Sequence, residues 1–191
     1  MSTVLSICGS PALASRTARL LSIVDRRLEV HGCEVVPVHV RALPTDALMH
    51  GDADHPAIAQ VADLLARADG VVIGTPIYKT AYSGILKSLL DVLPQHALAG
   101  KAVLPLASGG SPAHMLAIDY ALRPVLSSMG PRYVAAGRFF LDRLVSSRAD
   151  GTTGVEVEAE ELLNRMADDF VAVLNARPQA ALLDRIGATP L

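Results

Sequence analysis

Short apolar runs that end in glycine or proline alternate along this chain with longer stretches in which apolar residues recur every three or four positions. Runs of the first kind mark strands buried on both faces, and stretches of the second kind mark helices with one face on a core. Val4 to Cys8 is such a strand, stopped by Gly9, Ser10 and Pro11. Ser15 to Val30 sets Leu21, Val24 and Leu28 at helical spacing, with Ser15 as the N-cap and His31-Gly32 as the stop. Glu34 to Val40 predicts a second strand, and Pro37 inside it argues for a sheet edge, where a missing N–H is tolerated. Pro44 to Pro56 reads as loop. Pro56 to Ala68 carries Ile58, Val61 and Leu65 on one helical face and feeds a third strand, Val71 to Ile73, ended by Gly74.

Ser83 to Leu93 repeats the helical pattern and is closed by Pro94, and Lys101 to Ala107 is the fourth strand. A turn at Gly109-Gly110 precedes a helix from His114 to Met129, and Tyr133 to Phe140 is the fifth strand. The last helix, Val155 to Ala176, sets Leu162, Leu163, Met166, Phe170 and Val173 against an acidic face, so it packs on the sheet. Strands that alternate with helices specify a doubly wound α/β fold, a five-stranded parallel sheet with helices on both faces. The domain is expected to span residues 1–177, leaving 178–191 as a carboxyl-terminal tail.

Composition narrows the function. With 51% hydrophobic and 19% charged residues, the 191-residue chain can bury one full core. Seventeen Lys plus Arg against nineteen Asp plus Glu leave a net charge of −2, too little to draw nucleic acid or an anionic membrane. The opening MSTVLSICGSP has no basic stretch and a short apolar run, which predicts neither a signal peptide nor a spanning helix and hence a cytoplasmic protein. Cys8 and Cys33 lack a CxxC partner and read as reduced structural thiols.

Ligands of an open parallel sheet bind outside the carboxyl ends of its strands, which here means the loops GSPALASRT, GTPIYKTAYSG and SGGSPAH. The first offers the Ser10, Ser15 and Thr17 hydroxyls, free backbone N–H groups and the Arg16 guanidinium at a helix N-terminus, a set that suits a phosphate monoester, although an ordinary capped turn would look similar. It has neither the GxGxxG spacing of a dinucleotide turn nor the GxxxxGK[ST] of a nucleotide-hydrolysing loop, so a single phosphate, as in FMN, fits better. In the second loop the backbone amides and apolar side chains of Pro76, Ile77 and Tyr78 can wall a flat ring, and Tyr78 and Tyr82 also fit as half-buried aromatics. In the third, Gly109 and Gly110 allow close approach of backbone to a planar ligand, as they would allow a plain turn. No GxSxG elbow or HExxH is present, no pair of carboxylates sits in a motif that suggests glycoside chemistry, and the six histidines lack metal-ligand spacing, so no metal is expected.

These loops, with ADGVVIGTPIYKTAYSGILKSLLDVLP and LPLASGGSPAHMLAIDYALRPVL, resemble the NADPH-dependent FMN reductases of the flavodoxin-like superfamily over nearly the whole chain. The similarity is greatest to the reductase component of two-component alkanesulfonate monooxygenase systems. The resemblance implies that Ser10, Ser15, Arg16 and Thr17 hold the FMN phosphate. It places Pro76, Ile77, Tyr78 and Lys79 along the isoalloxazine, with Gly109, Gly110 and Ser111 on its other side. It further implies that the flavin carries the hydride chemistry with no obligatory side-chain acid or base, that NADPH or NADH is the donor, and that reduced FMN passes to a flavin-dependent monooxygenase. AIDYALRP resembles the segment where those reductases carry an inserted tyrosine, which falls on Tyr120, makes a π-bulge at a tetramer interface and accompanies flavin that diffuses away. A homotetramer or dimer is therefore expected. Residue chemistry leaves two other readings open: a flavodoxin-type electron carrier with permanently bound FMN, and an FMN-bound quinone or azo reductase.

Overall fold

The computed structural model describes residues 1–147 and 153–176. Strand β1 (Thr3–Cys8) leads into helix α1 (Arg16–Val30), strand β2 (Glu34–His39) and a short helix α2 (Thr45–His50). Helix α3 (Pro56–Arg67), strand β3 (Gly70–Tyr78), a two-residue strand β4 (Ala81–Tyr82), helix α4 (Gly84–Val92) and strand β5 (Ala102–Gly109) follow. The remainder comprises α5 (Arg123–Ser128), β6 (Tyr133–Val134), β7 (Arg138–Leu141), the hairpin β8 (Val145–Ser147) with β9 (Thr153–Val155), and α6 (Val157–Asn175). The central sheet runs in the order β2-β1-β3-β5-β6 with every neighbour parallel, and β7 continues the outer edge beside β5. The five-stranded doubly wound sheet is present, with β2 and its Pro37 at an edge, and the fold is flavodoxin-like.

The two faces of the sheet have separate cores, because the central strands are buried on both sides and successive side chains alternate between them. Leu5, Ile7, Val71 and Ile73 pack towards α3, α4 and α5, with Ile58, Leu65, Leu86 and Leu89 opposite. Val4, Val72, Leu104 and Leu106 pack towards α1 and α6, with Leu20, Val24, Leu163 and Phe170 opposite. Across the second face, Asp168 of α6 takes Arg27 Nε at 2.6 Å and Nη2 at 3.0 Å, and His31 Nε2 lies 2.7 Å from the same carboxylate. This ties the two helices together.

Several expected elements differ. Pro44 to Pro56 is not all loop, because α2 occupies Thr45–His50 and closes on Gly51 in the left-handed region at φ 71°. Only Ala47 of that helix is buried, so no apolar stripe announced it. Gly74 does not end β3. Its missing side chain makes room for α1, since a Cβ there would stand 2.8 Å from Leu21 Cδ1. The fifth strand is broken: Leu104 and Pro105 of β5 face three residues, Ala135, Ala136 and Gly137, between β6 and β7. Pro105 has no N–H to give a neighbour, and Gly137 packs so tightly that a Cβ would lie 2.9 Å from the Pro105 carbonyl oxygen.

The expected helix from His114 to Met129 is three pieces: a 3-10 turn at Pro112–His114, a π-helical segment at Ile118–Leu122, and α5. Val155 belongs to β9 and not to the last helix. The predicted tail, 178–191, lies outside the described residues.

Candidate active site

The carboxyl ends of β1, β3 and β5 meet in one cleft of about 270 Å³, and the three loops singled out from the sequence line it. The loop after β1 supplies Ser10, Ser15, Arg16 and Thr17. Ser15 caps α1, its Oγ accepting the Ala18 N–H at 3.1 Å, while Ser10 Oγ accepts the Ala12 N–H at 3.3 Å. The first turn of α1 contains no acidic residue, so its N-terminal dipole and the half-exposed Arg16 guanidinium favour an anion. Thr17 is buried and shares a 2.7 Å hydrogen bond with Ser108 Oγ, which fixes the start of the helix to the end of β5.

The second loop is braced against the first. Gly9 N donates to Gly74 O at 2.8 Å, the Ser83 hydroxyl donates to Gly9 O, and Ser83 N donates to Thr75 Oγ1 at 3.0 Å. A Cβ on Gly9 would stand 2.8 Å from Leu86 Cβ, so only glycine lets α4 approach this closely. Pro76, Ile77 and Tyr78 line the cleft. The chain then reverses through Lys79 and Thr80, both in the left-handed region at φ 50° and 66°, and returns as β4 antiparallel to β3. Two consecutive non-glycine residues in that region are strained, and their position between cleft and hairpin is typical of a functional loop.

From the third loop Gly109 and Gly110 line the cleft, together with Ser108. Of the residues named from the sequence, Lys79 and Ser111 are not among the lining residues. Lys79 stands exposed at the hairpin tip, and the Ser111 hydroxyl turns back to cap the Pro112–His114 turn, accepting the Ala113 N–H at 3.3 Å. The sequence reading missed Ser108 and Asp142. Ser108 adjoins the glycine pair that was noticed. Asp142 is the first polar residue after the broken fifth strand, and its Oδ2 approaches Arg16 Nη1 at 3.7 Å. Beneath the first loop, burial pushes the Cys8 thiol up, opposed by the Ser10 backbone and the Ser15 hydroxyl, so Cys8 stays a neutral thiol.

Tyr120 lies outside the cleft. It occupies the middle of the π-helical segment with 79% of its surface exposed, and Met115 and Leu116 are exposed near it in sequence. Ile118 of the same segment is buried in a small cluster with Ile77 and Ala107, so the segment packs directly on the wall of the cleft. Arg123 anchors its end, taking Asp119 at 3.0 Å and donating to the carbonyls of Val134 and Ala135 at 3.1 Å each.

Hydroxyls, a dipole and one cation at one end, and bare glycine backbone facing an apolar wall at the other, fit a flat ring that carries one phosphate. The family model for NADPH-dependent FMN reductases matches residues 2–144. This chain belongs to that reductase family. It is similar to the FMN reductase (NADPH) of Pseudomonas putida, with 46% identity over 178 residues, 92% of this chain and 90% of that one. Among solved structures it is similar to the apo form of an NADH:FMN oxidoreductase (EMOB), with a TM-score of 0.83 and 40% identity over 94% of this chain and 93% of that one. A Streptococcus flavodoxin shares the fold at a TM-score of 0.62 and 17% identity, covering 90% of this chain and 98% of that one.

The reductase therefore uses FMN with NADPH or NADH as electron donor. Among its described residues no helix is long and apolar enough to cross a membrane.

Proposed function

We propose that this reductase treats FMN as a passing substrate: it reduces the flavin with NADH or NADPH in the cleft and releases it to a flavin-dependent monooxygenase of sulfonate-sulfur metabolism in the cytoplasm. Ser10, Ser15, Arg16 and Thr17 hold the phosphate. Pro76, Ile77 and Tyr78 border the ring on one side, Gly109 and Gly110 on the other, and Lys79 and Ser111 flank it from the rim. When bound, FMN supplies the hydride-accepting chemistry. The chain's own part is to bind, orient and partly shield the reacting rings, and none of the lining side chains is required as an acid or base.

The observation that carries the release half of this reading is the π-helical segment Ile118–Leu122. Its exposed Tyr120, with Met115 and Leu116, offers a surface to further copies of the chain, as in a tetramer or dimer, while its buried Ile118 shares a small apolar cluster with Ile77. A change at that surface thus has a packed route to the flavin wall. The test is oxidation of NADH and of NADPH, each with and without FMN, on protein whose flavin content and assembly state have been measured. Rapid FMN-dependent oxidation by nearly colourless protein is expected, and Tyr120→Ala should make the protein retain more FMN. Protein that purifies yellow with one tightly held FMN, or a Tyr120→Ala variant unchanged in both retention and assembly, would refute the release mechanism.

A further inference from the structure

Among the described residues that line the cleft, Arg16 is the one cationic side chain and Asp142 the one anionic one. It heads the 3-10 turn Asp142–Leu144 that follows β7, and a Cβ on Gly110 would lie 3.7 Å from its Oδ2. The carboxylate thus lies between Gly110 and Arg16, on the phosphate-binding side of the cleft. Formal side-chain charge around the cleft sums to zero, an unusual provision for a ligand whose phosphate carries nearly two negative charges at neutral pH.

We infer that Asp142 is an affinity-setting residue, whose carboxylate opposes the FMN phosphate and keeps the flavin exchangeable. The inference rests on reading the cleft as the FMN site. Two effects of Asp142 compete. As a partner of Arg16 it would hold the guanidinium in place and aid binding, but the pair is 3.7 Å apart, makes no hydrogen bond within the usual distance, and has side chains 56% and 34% exposed. Such a pair changes an equilibrium by less than about fivefold. Repulsion acts on a doubled charge in a cleft only a few residues wide, and even with water-like screening it amounts to roughly tenfold in affinity. Repulsion wins. A neutral residue here would convert an exchangeable flavin into a retained one.

The experiment is fluorescence titration of the full-length wild type, Asp142→Asn and Asp142→Glu with FMN and with riboflavin, which has the same ring and no phosphate. Asp142→Asn is expected to tighten FMN roughly tenfold, to leave riboflavin unchanged, and to purify with more bound FMN, while Asp142→Glu behaves as wild type. Asp142→Ser, which also removes the charge, repeats the measurement if the asparagine variant does not fold. Weaker or unchanged FMN binding in the neutral variants overturns the inference and makes Asp142 a holder of Arg16 or a bystander. An equal change for FMN and riboflavin overturns it too, because the contact would then be to the ring. A wild type that does not bind FMN at all fails the functional reading itself, and is thereby distinguished from a failure of Asp142 alone.

Discussion

Asp25→Asn should stabilise the reductase at neutral and alkaline pH and slightly destabilise it in mild acid. Asp25 lies on α1 beside Ser6 of β1, and its Oδ1 has no hydrogen-bond partner among the described residues. Burial pushes its carboxyl up from 3.8 to about 6, with Glu29 adding to the push and the Ser6 hydroxyl and Arg26 opposing it. Below 3.8 the residue is neutral in both folded and unfolded chains, so it contributes nothing. As pH rises towards 6 the unfolded chain ionises freely while the folded one keeps its proton, and stability falls. Above about 6 both are ionised and the penalty levels off at about 3 kcal/mol. An asparagine amide in the same place is itself incompletely paired at every pH, which returns part of that, so the variant gains about 1–2 kcal/mol near pH 8 and loses about 1 kcal/mol at pH 4, where the carboxylate penalty is nearly gone. For a chain of this size that gain is roughly 2–8 °C in melting temperature. Urea unfolding followed by circular dichroism at both pH values reads it directly. Equal differences between variant and wild type at the two pH values, or a variant less stable near pH 8, would refute the reasoning.

Thr17→Val keeps the shape of the side chain but leaves the buried Ser108 hydroxyl without its 2.7 Å partner, so folding stability should fall by about 1–3 kcal/mol, and an unchanged urea midpoint would contradict the pairing. The bidentate contact from Arg27, with His31 beside it, holds the Asp168 carboxyl down at about 2, so its contribution is present above the ordinary carboxylate range and is lost as pH falls through about 2. Asp168→Asn should therefore loosen α1 from α6 and move the acid-unfolding midpoint to higher pH; a midpoint that stays in place would show that the clamp carries no stability.

The central strands were legible because burial on both faces demands continuous apolar runs, as in Val71 to Ile73, and α1, α3, α4 and α6 because one buried face demands a stripe. α2 was not, since a single buried alanine makes no stripe. The three loops could be found because a parallel sheet delivers ligands to its strands' carboxyl ends, and GSPALASRT, GTPIYKTAYSG and SGGSPAH all fall there.

What the chain's order of residues determined by itself is this alternation, the end of the sheet where chemistry belongs, and the hydroxyl-rich start of α1. Tertiary structure alone decided that Thr17 would turn inward to Ser108, that the fifth strand would break opposite Pro105, and that Asp142 would come round to face Arg16. Each of these depends on residues far apart in the chain meeting at one point, and local patterning carries no record of which distant partner a side chain will find.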